Sequence, residues 1–138
     1  MPDTIQYKSG YKYQLVTSYE ITIPILPELE IDILFVRLST SGKLDILYGY
    51  AWDGPSGITF DTKNFMRGSL VHDVLYQLMR MSLLSRVHYK GPADRLLQSM
   101  CIEDGMSKFR AWYVYMGVSK FGGASTLDAN IKKTLYAP

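Results

Sequence analysis

Three residues that could do acid-base chemistry lie within one apolar stretch of the chain, namely His72, Asp73 and Tyr76. A further acid, Asp94, opens the next apolar segment. An imidazole held by a carboxylate is a standard general base, because the acid fixes the tautomer of the ring and stabilises the imidazolium once a proton has been taken. The residue types therefore indicate proton abstraction from water or a hydroxyl, with His72 as the base and Asp94 and Tyr76 as supporting catalytic residues.

Helical spacing decides which of these side chains can meet. On a helix that advances about 100° per residue, His72 and Tyr76 lie one turn apart at the margin of an apolar arc, whereas Asp73 points to a different side. Asp94 lies at the edge of the inward face of the following helix, and short connections make consecutive helices antiparallel neighbours. We therefore expect His72 to be partly buried against Asp94, with Asp73 nearer the opening. The arc consists of Leu70, Val71, Val74, Leu75, Leu78 and Met81.

A cation site is the second prediction. The turn of residues 52–57 offers the carboxylate of Asp53 and several carbonyl groups, and hard cations such as Ca2+ prefer this mixture of oxygen ligands. Asp73 could bind the same ion, which would stabilise negative charge that develops on a bound carbonyl or phosphate. The alternative for Asp53 is an Asx turn with Ser56, the commoner role of Asp before Gly.

The first third of the chain has the pattern of an antiparallel sheet. β-Branched and aromatic residues are dense at 11–25, alternate in part with polar residues at 31–38, and are strand-like again at 44–50. Residues 39–43 are turn-forming. This pattern predicts a sheet of about three strands over residues 11–50, with the last two strands forming a hairpin.

Helical patterns follow a turn-rich loop at residues 51–62. Apolar periodicity predicts helices at about 63–84, 92–103 and 108–120. Pro92 is expected in the first turn of the second helix, where its missing N–H is not needed.

The complete organisation predicted from these patterns is a single α+β domain over residues 1–138. A polar arm at 1–10 precedes the sheet, a bundle of about three helices occupies 63–121, and an extended tail takes up 122–138. A chain of this length can bury well over half of its unfolded surface, so it is long enough to fold alone.

Composition limits the classes of function. The net charge is +2 and no dense run of Lys or Arg occurs, so we do not expect nucleic-acid binding. Cys101 is the single cysteine, which rules out an intrachain disulfide and is consistent with folding in a reducing compartment. No apolar run reaches the length of a membrane span. We therefore expect a protein without a transmembrane segment, made in the cytoplasm.

Three motifs in order resemble a small family of phage and prophage proteins, known as a domain of unknown function. The family pattern is an Asp-Gly-x-Ser loop, a His-Asp-x-x-Tyr helix and an Ala-Asp helix, and the match covers residues 48–117. The resemblance implies a tailed phage or prophage, hence synthesis in the host cytoplasm and association with the virion, but no established activity. The matching segments are Trp52-Asp53-Gly54-Pro55-Ser56, His72-Asp73-Val74-Leu75-Tyr76 and Ala93-Asp94-Arg95-Leu96-Leu97.

The helical motifs are also similar to the active site of secreted phospholipase A2. This second resemblance implies that His72 is the base, Asp73 the calcium ligand, and Tyr76 and Asp94 the supporting pair, with the calcium loop at residues 48–57. The chain departs from that family in three respects. It lacks the cysteines that flank the motifs in most phospholipases, its loop lacks their glycine-rich spacing, and a sheet before the loop is not part of that fold.

Two functions of different classes remain open at this point. One is a phage-encoded hydrolase that acts on a small ester or a lipid with a His-Asp pair, assisted by a cation. The other is a non-catalytic virion, assembly or host-interaction protein that docks onto phage structural proteins, in which the His-Asp cluster is a structural polar network. In a hydrolase His72 should reach a cleft, whereas in a structural protein both of its ring nitrogens should be bonded to protein.

Overall fold

The computed structural model describes residue 5 and residues 7–8, 13–52 and 63–127. Within them, antiparallel strands come first and three helices follow, so the predicted α+β class is confirmed. The described strands belong to one compact unit and the helices to another. The single-domain organisation stays a prediction. The site loop around Asp53 and most of the tail lie outside the described residues.

Seven short strands are present in the described residues, in place of the three that were predicted. They are β1 (Tyr7–Lys8), β2 (Tyr13–Leu15), β3 (Tyr19–Thr22), β4 (Ile31–Ile33), β5 (Val36–Leu38), β6 (Lys43–Ile46) and β7 (Ala51–Trp52). One antiparallel sheet has the order β1-β2-β7, and the other has the order β3-β6-β5-β4. β1 falls in the segment that was expected to be an arm.

Residues 31–38 form two strands in place of one because the alternation of apolar residues changes phase there. The apolar residues stand at odd positions in β4 (Ile31 and Ile33) and at even positions in β5 (Val36 and Leu38). A turn at 34–35 folds β4 back onto β5, with Ile33 opposite Val36. The predicted hairpin across residues 39–43 joins β5 to β6 and pairs Leu38 with Leu44.

Three helices make up the second unit: α1 (Lys63–Arg80), α2 (Arg86–Glu103) and α3 (Lys108–Phe121). A 3-10 helix follows at Gly123–Thr126. Helix α1 packs on α2, and α2 packs on α3. Their shared core contains Phe65, Leu97, Cys101, Met106, Ala111 and Val114. None of the described helices has the length and apolar content of a membrane span.

Helix α1 ends at Arg80, earlier than the predicted 84. Ser82 has a left-handed backbone (φ 59°), and the N–H of Leu83 bonds the carbonyl of Leu78 at 2.9 Å, which closes the last turn. Met81 therefore lies beyond the helix and is exposed, although the apolar arc predicted that it would face inward.

Helix α2 begins six residues before Pro92, which corrects the predicted start. Ser85 is the N-cap, and its hydroxyl accepts a hydrogen bond from the N–H of His88. Pro92 is therefore inside the helix, because the cap at Ser85 starts the helix at a point where the sequence suggested a connection. The early start of α2 places Lys90 on the helix, one turn before Asp94.

Candidate functional site

Helices α1 and α2 position the cluster of acid-base residues. His72 and Tyr76 lie one turn apart on α1, with ring centroids 4.1 Å apart. Asp94 reaches them from α2. All three side chains are buried, with 6% of His72 and 1% of Asp94 exposed, so the contacts among them are made away from bulk water.

A single oxygen of Asp94 receives both groups of α1. The Nε2 atom of His72 lies 2.7 Å from Oδ1, and the hydroxyl of Tyr76 donates to the same oxygen at 2.6 Å. The structure thus brings together the three residues that the sequence analysis named as catalytic. Their catalytic roles stay a prediction.

Lys90 completes the cluster, and the sequence analysis missed it. Its ammonium donates to Oδ2 of Asp94 at 2.7 Å and to the backbone carbonyls of Val118 and Ser119 at 3.2 and 3.4 Å. Because those carbonyls belong to the last turn of α3, Lys90 links α2 both to the carboxylate and to the third helix. The signal that could have found it is the spacing Lys90-x-x-x-Asp94, which was hidden by the late predicted start of α2.

Charge in the cluster follows from these contacts. Burial, the largest influence, opposes ionisation of Asp94, but the hydrogen bonds from His72, Lys90 and Tyr76 outweigh it and hold the pKa of Asp94 below its usual range. Burial, the bond to Asp94 and the negative charges of Asp94 and Asp73 raise the pKa of Tyr76. Asp94 is therefore a carboxylate, and Tyr76 stays a neutral donor.

The bond to Asp94 sets the tautomer of His72. A carboxylate only accepts hydrogen bonds, so the Nε2 atom that faces it carries the proton, and Nδ1 of the neutral ring is left with a lone pair. Within the described ranges, no protein group is bonded to this Nδ1. The ring is thus oriented by one nitrogen and holds basic electrons on the other, which is the arrangement a general base requires.

The predicted cation site is not assembled by the described residues alone. Asp73 is half-buried, and it lies close enough to Tyr76 for its charge to contribute to the raised pKa of that residue. No group of three or more His, Cys, Asp or Glu side chains suited to a metal occurs in the described part of the chain. Asp53, the second predicted ligand, lies outside it. The Ca2+ site therefore stays a prediction.

Cys101 is not placed to act as a nucleophile. The thiol lies in the core between the helices, where burial raises its pKa to about 12. It is therefore protonated at neutral pH and acts as a small apolar side chain.

A separate buried ion pair joins the other ends of α1 and α2. The guanidinium of Arg67 donates to both oxygens of Asp104 at 2.9 to 3.2 Å and also contacts Glu103. It joins the first half of α1 to the C-terminal end of α2 and contains none of the residues of the His72 cluster.

Comparison with known proteins adds no relative: no family model, no curated protein and no solved structure matches the chain.

Proposed function

We propose that the chain is a hydrolase that cleaves an ester with His72 as its general base. The observation that carries this proposal is the asymmetry of the His72 ring. Its Nε2 is held by a buried carboxylate, and its Nδ1 has no bonded protein group within the described residues. A histidine with a purely structural role gains most stability when both nitrogens are bonded, because an unsatisfied buried polar atom costs about 1–3 kcal/mol.

The chemistry needs only groups of this chain and a water molecule. Nδ1 of His72 accepts a proton from water while the water oxygen forms a bond to the ester carbonyl carbon, and the electron pair of the C=O bond moves to the carbonyl oxygen. Asp94 stabilises the imidazolium that results. The electron pair then returns from that oxygen to re-form the C=O bond, the carbon–oxygen bond to the alcohol breaks, and the imidazolium returns the proton to the departing alkoxide. The products are an acid and an alcohol, and His72 is neutral again.

Tyr76 and Lys90 act on this chemistry through Asp94. Each donates a hydrogen bond to the carboxylate, so the carboxylate cannot rotate away from the imidazole. A charge-assisted bond of this kind is worth roughly 1.5–3 kcal/mol, enough to keep the ring in one orientation.

The two motif resemblances support the class of substrate and the biological setting. The similarity of His72, Asp73, Tyr76 and Asp94 to the phospholipase A2 site favours an ester of a lipid, or a small ester, as substrate. The phage motif pattern favours a phage-encoded enzyme that is made in the host cytoplasm and is associated with the virion. A Ca2+ ion bound by Asp73 and Asp53 remains part of this proposal.

A second function is favoured by Lys90. Its ammonium bonds a carboxylate of α2 and two carbonyls of α3, so the cluster ties three helices together without any substrate. In this alternative the chain is a phage virion, assembly or host-interaction protein, and the polar network fixes the arrangement of its helices.

One substitution separates the two functions. His72→Gln keeps a polar side chain of similar size but has no basic nitrogen. We expect ester hydrolysis, measured with nitrophenyl esters and with phosphatidylcholine vesicles, to fall by at least about a hundredfold, while the thermal unfolding curve remains cooperative. His88→Gln is the matched control, because His88 lies near the start of α2 and bonds Ser85 rather than the cluster.

A different pair of results would favour the structural alternative. If the unaltered protein hydrolyses none of these esters, with or without added Ca2+, and His72→Gln lowers the unfolding temperature far more than His88→Gln, the structural alternative replaces the hydrolase.

A further inference from the structure

Helix α3 has two apolar faces, and only one of them is packed in the core. Ala111 and Val114 are buried against the other helices. On the opposite side Phe109, Trp112 and Tyr113 are 74, 48 and 59% exposed. A surface helix normally presents polar residues to solvent, so this second face requires an explanation.

The exposed aromatic residues form one continuous surface. Phe109 is three residues before Trp112 and four before Tyr113, which places all three on adjacent turns of the same face. The ring centroids of Phe109 and Trp112 are 6.1 Å apart. We call Phe109, Trp112 and Tyr113 the aromatic face of α3.

Positive charge lies at the two ends of the aromatic face, at Lys108 and Lys120. The helix carries Lys108, Arg110 and Lys120 and has no acidic residue, although the whole chain has a net charge of only +2. Neither lysine forms an ion pair within the residues that the structure describes. The acids at the end of α2, Glu103 and Asp104, form ion pairs with Arg67. The ligand that complements this surface is therefore apolar and anionic together.

The positive charge of α3 favours some binding partners of the aromatic face over others. Two copies of the chain that met on α3 would bring the four ammonium groups of Lys108 and Lys120 together without an acid on either helix to pair them, which disfavours self-association. Protein interfaces use Trp, Tyr and Phe but are depleted in Lys. Membrane surfaces favour both, because aromatic rings settle at the level of the headgroups and lysines extend along apolar surface to reach the phosphates.

We propose that the aromatic face of α3, with Lys108 and Lys120 at its two ends, binds the surface of an anionic lipid membrane. The helix lies on the membrane and does not cross it. Phe109, Trp112 and Tyr113 insert among the headgroups while the lysines contact lipid phosphates. This binding is independent of the proposed hydrolase, since none of its residues belongs to the His72 cluster.

The test measures binding of the full chain to vesicles of phosphatidylcholine alone and of an equal mixture of phosphatidylcholine and phosphatidylglycerol. We expect co-sedimentation with the mixed vesicles that weakens as salt is added. Trp112 should also report insertion by a blue shift of its fluorescence. Trp112→Phe should abolish that shift, because the other tryptophan, Trp52, is buried in the fold and does not reach the membrane. The variant should still bind, since Phe is also an apolar aromatic residue.

Two double variants identify the contributions. In Phe109→Ser/Trp112→Ser the partitioning to mixed vesicles should be lost. In Lys108→Glu/Lys120→Glu it should fall by at least roughly fivefold for each lysine removed. Val87→Ser is the matched control, because Val87 is an exposed apolar residue on α2 that is not part of the aromatic face. All substituted side chains in these variants are exposed, so thermal unfolding should change little.

If the unaltered protein does not bind the mixed vesicles, or if Phe109→Ser/Trp112→Ser binds them as well as Val87→Ser does, the proposal is wrong. If sedimentation instead reveals a dimer that this double variant abolishes, the occupant of the aromatic face is a second copy of the chain, and the lipid proposal is overturned.

Discussion

The ammonium of Lys90 donates to the Oδ2 atom of Asp94 at 2.7 Å, across one turn of α2. The carboxylate is almost fully buried and the Lys90 side chain is mostly buried, so this is an ion pair at a low dielectric and not a surface contact. The ammonium neutralises the charge of Asp94 at Oδ2, the oxygen that His72 and Tyr76 do not contact. The cluster is therefore a charge-balanced unit, and each of its bonds has a measurable consequence.

Loss of the Lys90 charge should destabilise the fold. Lys90→Met keeps the length of the side chain but leaves Oδ2 of Asp94 without its cation and removes the ammonium that donates to the carbonyls of Val118 and Ser119. We expect the free energy of unfolding, measured with urea, to fall by about 3 kcal/mol. Lys43→Met is the control, because Lys43 pairs with Glu20 at 3.0 Å in solvent and such exposed pairs contribute little. Equal effects of the two substitutions would contradict the buried pair.

Gly122 should be intolerant of a side chain although its backbone is helical. A Cβ atom there would lie 2.5 Å from the carbonyl of Val118 and 2.7 Å from the hydroxyl of Tyr76, so either the end of α3 or the Tyr76–Asp94 bond must shift. We expect Gly122→Ala to lower the free energy of unfolding by about 1–3 kcal/mol.

Gly123→Ala is the matched control for that experiment, since a Cβ at Gly123 meets no atom within 4 Å. If both variants unfold at the same denaturant concentration, the close approach of Gly122 to Tyr76 is not a constraint in solution.

Tyr76→Phe should remove one donor to the carboxylate and change the response to alkali. A hydrogen bond to a charged partner contributes about 2 kcal/mol, so we expect a loss of that order. The pKa of Tyr76 is raised by folding, so its contribution to stability is full below the unfolded value of 10.0 and is lost as the pH rises above it. The variant should therefore lose less stability in alkali than the parent protein. Tyr48→Phe, at an exposed position, should alter neither quantity.

Acid should weaken the cluster through Asp94. Its pKa is lower in the folded state than the ordinary value of 3.8, so its contribution to stability is present above that pH and is lost as the pH falls through the folded value. We expect the free energy of unfolding to decline as the pH falls below about 4, more steeply than in Asp94→Asn. A carbon NMR titration of the Asp94 carboxyl in the parent protein checks the same point if that variant does not fold. An ordinary or raised pKa there would refute the charge assignment.

The class of the fold and the helix that carries the site were predictable because they depend on local patterns. Apolar periodicity located α1 and α3 within a few residues, and the spacing of His72 and Tyr76 placed them on one face before any contact was known. The strands were less predictable. Each is only two to four residues long, and a phase change of one residue, as between Ile33 and Val36, divides a continuous pattern into a hairpin.

Lys90 shows why part of the site was not predictable. The residue lies just before a Gly-Pro pair, which is typical of a helix start, so sequence reasoning placed it in a connection. The cap at Ser85 and the packing of α2 between the other helices override that local signal, and only then does the lysine stand one turn from Asp94.

The amino-acid sequence by itself determined which groups of this protein can exchange protons and on which helices most of them lie, because these follow from residue type and helical period. Only the tertiary structure decided that a single oxygen of Asp94 receives both His72 and Tyr76, that Lys90 balances the charge, and that the aromatic face of α3 is left outside the core. Those relations depend on how three helices pack, and the burial of a charge can be satisfied only by groups that the packing brings within hydrogen-bond distance.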